Sequence, residues 1–213
     1  MKRIANIWIV LAVLYAALLA WHQPLRGPLT VDEVRTAFGQ NFDVAIRNDD
    51  AAAIIEFFLS DDGKPFFMVN LNGLPEPSPE VAAAEQQYGA YMLPRLLARA
   101  SYPVLSTDII VGLTNSLGVD VTPFERLVVV RYRSRRDFLE IIATQEFRNE
   151  LQNKTASLDG WYSAPSTIGP TFSLPVAALF VLIVIGLAGR LWSQKTARAR
   201  SDRNLFVTAR RLW

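Results

Sequence analysis

Three features of the sequence predict an α+β domain carried between two membrane-spanning helices. Apolar runs from Ile4 to Trp21 and from Phe172 to Trp192 bracket the chain. Strand-like stretches rich in β-branched and aromatic residues fall at Pro65 to Leu71, Tyr102 to Gly112 and Phe124 to Tyr132. Between the first two of these lies a segment patterned as a long helix, about Pro79 to Ala100. A side-chain period of 2 separates strand from helix, whose period is 3.6.

The second apolar run, FSLPVAALFVLIVIGLAGRLW, has no charge before Arg190. At about 1.5 Å of rise per residue it spans a hydrocarbon core of roughly 30 Å. Pro175 stands in the first turn, where a helix tolerates it. Trp192 and Arg190 close the run as an interfacial aromatic and a snorkelling cation, with Trp21 in the matching position on the first run. The first run follows Met-Lys-Arg and reads as an uncleaved anchor. A signal peptide is the alternative, but its apolar core is usually shorter, roughly 7 to 15 residues, and Leu18-Leu19-Ala20 fits a small-x-small cleavage site poorly. Ala16, Ala17 and Ala20 on one helix, and Ala177, Ala178, Gly186 and Gly189 on the other, allow close helix packing.

Orientation follows the basic residues beside each run. Lys2 and Arg3 flank the first, while Arg190, Lys195, Arg198, Arg200 and Arg203 flank the second. Both termini are therefore expected in the cytoplasm and residues 22–171 outside, which in a bacterium means a two-pass inner-membrane protein with a periplasmic domain. The expected divisions are 1–21 for the cytoplasmic start and first span, 22–63 for a linker with short helices, 64–165 for the α+β domain, 166–171 for a linker, 172–192 for the second span and 193–213 for a basic tail. That tail reads as a helix on the anionic leaflet, with disorder as the alternative.

Within the central part, Thr30-Val-Asp-Glu33 carries the capping-box pattern for a helix over Val31 to Phe38 that stops at Gly39. Asp50 to Leu59 reads as a second helix behind two aspartates, and Asp61 to Lys64 as a turn. Along Pro65 to Leu71, Phe66, Met68 and Asn70 share one face and Phe67, Val69 and Leu71 the other. Ser134 caps a helix over Arg135 to Ile142 and Thr144 another over Gln145 to Leu151. Trp161-Tyr162-Ser163 reads as a last short strand. The resulting order is strand, long helix, strand, strand, helices, strand, which is that of a ferredoxin-like α+β sandwich.

Composition narrows the chemistry. The 213 residues contain no cysteine and a single histidine, His22, so disulfides, thiolate metal sites and histidine-ligated metals are not expected, nor is any cofactor. The pI near 9.0 is a property of the chain ends: the segment before the first run carries a net +2, the part between the runs −6, and the part from Arg190 onward +6. Nucleic acid is accordingly not an expected partner. The spans hold no intramembrane acid or base, which argues for anchoring and assembly over transport.

The residues Phe66-Phe-Met-Val-Asn-Leu71, Tyr88 and Tyr91, Phe124-Glu-Arg-Leu-Val-Val-Val-Arg-Tyr132, Asp137-Phe138-Leu139 and Gln145-Glu146-Phe147 together resemble the dimeric α+β barrel superfamily. Within it the pattern is most similar to the bacterial family filed as domain of unknown function 1330. The resemblance covers about Ala53 to Asp159 and departs at Asn72-Gly73, Ser101-Tyr102 and Arg133. It implies a barrel-like dimer of two such sheets, and a small apolar substrate enclosed between a sheet face and the helix above it.

Ser106 and Asp108 share a face of the second strand, Asn70 interrupts the apolar face of the first and Arg131 that of the third. With Tyr88 these five residues, Asn70, Tyr88, Ser106, Asp108 and Arg131, form the expected ligand-binding set. Hydrogen bonding among themselves or with solvent is the simpler alternative. Glu85, Arg95 and Arg99 read as a solvated helix face, and Arg131, Arg133, Arg135 and Arg136 as a basic group at a strand end. The expected role is that of a non-catalytic accessory or scaffolding subunit, in contact with the lipid bilayer and with a larger membrane complex or a second copy. A cofactor-independent isomerase, lyase or monooxygenase acting on a small apolar molecule is the alternative, and it requires a cavity of roughly 300 Å³ or more.

Overall fold

The structure, a computed structural model, describes residues 2–39, 42, 49–110, 124–167 and 173–210. They fall into two compact units, one made of residues 1–20 and 170–213, the other of residues 21–169.

The second unit begins where helix α1 (Lys2–His22) ends. Its next helix, α2 (Val31–Phe38), starts on the expected capping box: Thr30 Oγ1 accepts from the Glu33 amide, and the Glu33 carboxylate accepts from the Thr30 amide. It ends at Gly39, whose φ of 56° suits the residue without a Cβ. Helix α3 (Asp49–Leu59) delivers Ile55 and Phe58 to a core with Val34, Phe42 and Leu139. Asp61 and Asp62 then accept from the amides of Gly63 and Lys64 to make the predicted turn, with Gly63 at φ 72°.

Four strands follow: β1 (Phe66–Gly73), β2 (Tyr102–Asp108), β3 (Arg126–Tyr132) and β4 (Gly160–Ser166). They form one antiparallel sheet in the order β2-β3-β1-β4. Helix α4 (Pro79–Ala98) connects β1 to β2, with Ser78 as its cap and Pro79 at its first position. Helices α5 (Arg135–Ile142) and α6 (Gln145–Ala156) connect β3 to β4 on the predicted caps Ser134 and Thr144. Even-numbered residues of β1 and β3 meet the helices: Phe66, Tyr132, Met92, Leu96 and Ile141 form a second core. Phe66 and Tyr132 are register partners whose rings stack at 5.1 Å. The odd-numbered Phe67, Val69, Leu71, Leu127 and Val129 make the opposite face; among the described residues none belongs to either core cluster. At the edges of that face Leu105 and Tyr162 are 46% and 58% exposed.

The basic group after β3 is not a free cluster. Arg133 and Asp137 pair twice, at 2.8 and 2.6 Å, with Asp137 only 2% exposed. Arg135 donates to the Phe57 carbonyl and to Ser60, and Arg136 binds Glu33 and the carbonyls of Gly27 and Pro28. Likewise Arg95 lies over the Tyr91 ring at 3.7 Å and Arg99 pairs with Glu140. Arg133, Arg135 and Arg136 staple the linker, α3 and α2 to the start of α5, so their charge is committed within the fold.

In the first unit, helix α7 (Leu174–Arg210) is unbroken for 37 residues, so the segment read as a separate tail continues the helix. Its part Leu174–Thr196, 23 residues with mean hydropathy 2.3, is long and apolar enough to cross a membrane. Of the two expected spans it is the one among the described residues that meets this test, since the apolar part of α1, Asn6–His22, is shorter. Gly186 lies directly against the Trp8 indole, leaving no room for a Cβ, and Gly189 faces Ile7. Two of the small residues singled out in the sequence, Gly186 and Gly189, thus stand where α1 and α7 touch.

Candidate functional site

A cavity of about 500 Å³ lies between the even-numbered sheet face and helices α4 and α6. Its floor is graded row by row across the strands. Asn72 pairs with Trp161 on one side and Arg126 on the other, and Arg126 pairs with Asp108. The next row is Ser163, Asn70, Val128 and Ser106, and the next Pro165, Met68, Val130 and Pro103. The last contains Phe66 and Tyr132. One end of the cavity is therefore polar and charged, and the other is apolar, closed by Phe138 and Phe147 from α5 and α6.

A β-bulge in β2 helps build this floor. Pro103 pairs with Val130 and Leu105 with Val129, so Val104 is the extra residue. The shift brings Pro103 and Ser106, which have opposite parity, onto the same cavity wall.

Three of the five residues selected from the sequence line the cavity: Asn70, Tyr88 and Ser106. Asn70 is held in place by Ser163, whose hydroxyl donates to its Oδ1 at 2.7 Å, while its Nδ2 donates to the carbonyls of Met68 and Val128. Burial pushes the Tyr88 hydroxyl up to about 12, with Tyr91 adding to the effect, so it stays protonated at neutral pH. Asp108 does not line the cavity but holds a residue that does, accepting from Arg126 Nε at 2.8 Å. Glu85 of α4, which the sequence suggested was solvated, accepts from the same guanidinium at 2.8 Å and also lines the cavity.

Arg131 is the correction. It pairs with Phe67 and Tyr102, so its side chain belongs to the face opposite the cavity. There it is buried, donating to the carbonyls of Ala100 at 2.7 Å and His22 at 3.2 Å. His22 Nε2 is 3.0 Å from the Tyr102 hydroxyl, and the Trp21 indole donates to the Leu97 carbonyl. Arg131 thus ties the end of α1 to the sheet. Trp21, expected at a membrane interface, bonds to helix α4 through Leu97, whereas Arg190 and Trp192 are exposed on α7.

Several cavity residues escaped the sequence reading, Arg126 and Ser163 among them, and two more have polar atoms unpaired among the described residues. Asn72 has a buried Oδ1 that meets no hydrogen-bond donor among the described residues. Lys154 of α6 stands at the wall with its Nζ 4.6 Å from the centre of the Trp161 ring. Burial pushes its ammonium down to about 8. The signal for Lys154 was its spacing from Phe147 and Leu151, which puts it in the apolar stripe of an otherwise polar helix. No cluster of three metal-ligating side chains occurs among the described residues.

No family model and no curated protein matches the chain. Among solved structures it is similar to a protein of unknown function from Rhodopseudomonas palustris, at 18% identity and a TM-score of 0.46, over 58% of this chain and 95% of that one. A methylated form of the same protein gives 17% and 0.47, over 59% and 94%. A hydroxynitrile lyase from Passiflora edulis gives 12% and 0.35, over 52% and 98%.

Proposed function

We propose that the α+β domain of this chain is a ferredoxin-like sandwich that binds a small amphipathic molecule, and that its flanking apolar helices anchor it in a membrane. The fold assignment is supported by the sheet order and by the connectivity of strand, helix, strand, strand, helices, strand. The observation that carries the binding reading is the graded cavity: its volume lies in the range of small-molecule sites, and its polar groups gather at one end. Such a gradient matches a ligand with a polar head and an apolar body. A cofactor-independent reaction on that ligand is the catalytic form of the same reading, with Tyr88 and Lys154 as the titratable groups at hand.

A second reading concerns assembly. Apart from Arg131, buried at one end, the odd-numbered sheet face carries Phe67, Val69, Leu71, Leu127 and Val129, which suits pairing with the same face of a second copy. An accessory role in a membrane complex then follows from a dimeric, anchored binding domain.

Both readings are tested by native mass spectrometry of the full chain, extracted gently from its own membrane. A retained small molecule of one mass per chain supports binding, and a mass of two chains supports pairing. A bare monomer under conditions that preserve other membrane complexes excludes both.

A further inference from the structure

We propose that the ligand of this cavity carries a carboxylate head, and that Lys154 recognises it through its ammonium at the polar end; the inference rests on reading the cavity as a binding site. The charges around the cavity are unequal in their pairing. Arg126 is neutralised twice, by Glu85 and by Asp108. Lys154 makes no ion pair with any described carboxylate, and its Nζ has only the Trp161 ring at 4.6 Å. An aromatic face contributes about 0.5 to 2 kcal/mol to a cation and does not cancel its charge. Glu85 at the cavity and Asp108 beside it are thus both engaged by Arg126, and one positive charge is left without a counterion at the wall of a largely apolar space.

The position is set by the fold. Phe147, Leu151 and Lys154 follow one another at helical spacing on α6, and the first is part of the domain core. Lys154 therefore extends along the same face as core residues, against Trp161 of β4. Trp161 in turn is the register partner of Asn72, whose Oδ1 is buried without a donor. A neutral head would leave Lys154 unpaired, and a cationic head would meet it with the same sign. The direction of the Lys154 titration agrees: burial lowers it, as expected for a cation without a partner, while it stays mostly charged at neutral pH. The body of the ligand then extends towards Met68, Val130, Tyr132 and Phe138.

The test is calorimetric titration of the full chain in nanodiscs at pH 7 with hexanoate and with hexanamide, its neutral counterpart. The expected result is that hexanoate binds at least about ten-fold more tightly, the range of a charge-assisted contact. Lys154→Met and Lys154→Gln should both abolish that preference and leave hexanamide binding within about two-fold. Gly89 of α4 lines the cavity with open space beyond its Cβ position, so Gly89→Phe narrows the cavity without meeting backbone and should weaken both probes. Equal binding of the two probes, or a preference that survives in both Lys154 variants, overturns the carboxylate proposal; the cavity reading stands if Gly89→Phe still weakens both. Binding of neither probe overturns the proposal together with the cavity reading.

Discussion

Lys154 and Trp161, seven residues apart on α6 and β4, meet at the polar end of the cavity with the ammonium 4.6 Å from the indole ring centre. Holding a cation there without a carboxylate costs stability in the unliganded protein. Lys154→Met should therefore raise the thermal midpoint at pH 7, with a gain of about 1 kcal/mol or more, or roughly 2 to 4 °C for a domain of this size. The effect depends on pH in a defined direction. The folded-state value, about 8, lies below the ordinary value of 10.5, so between the two the unfolded chain binds more protons. Raising the pH through that window should stabilise the wild-type chain relative to Lys154→Met. Paired melting curves from pH 7 to 10.5 check the sign.

Asn72 adds a second local cost, an acceptor buried without a donor. Asn72→Leu should stabilise the unliganded domain by about 1 kcal/mol, because the removed group is one whose desolvation is not repaid. Chemical denaturation measures it, and an unchanged or lower midpoint would place a donor on Oδ1.

Asp137 is a different kind of buried group, one fully served by partners. It accepts from Arg133 and from Ser134 Oγ, and its own amide donates to Ser134 Oγ. Burial pushes its carboxyl up, but the hydrogen bonds from Arg133 and Ser134, with the charges of Arg133 and Arg26, outweigh this and hold it below the ordinary value. Its contribution to stability is complete above the unfolded carboxyl range and is lost as the pH falls through the lower folded value. Asp137→Ala should cost about 3 to 5 kcal/mol, since it strands the guanidinium of Arg133. Denaturation at pH 7 and at pH 3 should show the penalty shrinking with acid.

Gly186 is fixed by the Trp8 ring against it, which a Cβ would overlap. Gly186→Val should part α1 from α7 within their own unit. The chain has no native cysteine, so Ile7→Cys with Gly189→Cys and a short bis-thiol reagent reports the separation. Cross-linking should fall several-fold when Gly186→Val is added.

Element boundaries were legible where a local group sets them. Thr30, Ser134 and Thr144 each bond an amide of the first turn, a decision taken within four residues, and the helix starts fall as predicted. Strand faces were legible only in part, since parity assigns residues to two faces but does not say which face the helices cover. Arg131 was placed on the wrong side for that reason, while Arg126, five residues earlier and of opposite parity, stands at the cavity. Asn70 and Ser106 lie on the cavity face, Asn70 beside Met68 on its own strand and Ser106 opposite Val128 of β3. The partnership of Glu85 with Arg126 joins residues 41 positions apart and depends on α4 crossing the sheet, which no local pattern encodes. The Val104 bulge is likewise set by pairing with β3 and leaves no mark on β2 itself.

At about 1.5 Å per residue, the 37 residues of α7 make a rod of roughly 55 Å, nearly twice the thickness of a bilayer's hydrocarbon. A helix that continues past its apolar part without a break has no joint at which to absorb motion. Any tilt or rotation of the stretch Leu174–Thr196 is carried to Arg210 as a lever carries it, growing with distance from the pivot. A few degrees of rocking at one end become a displacement of several ångströms at the other, so the basic half of α7 acts mechanically as a pointer.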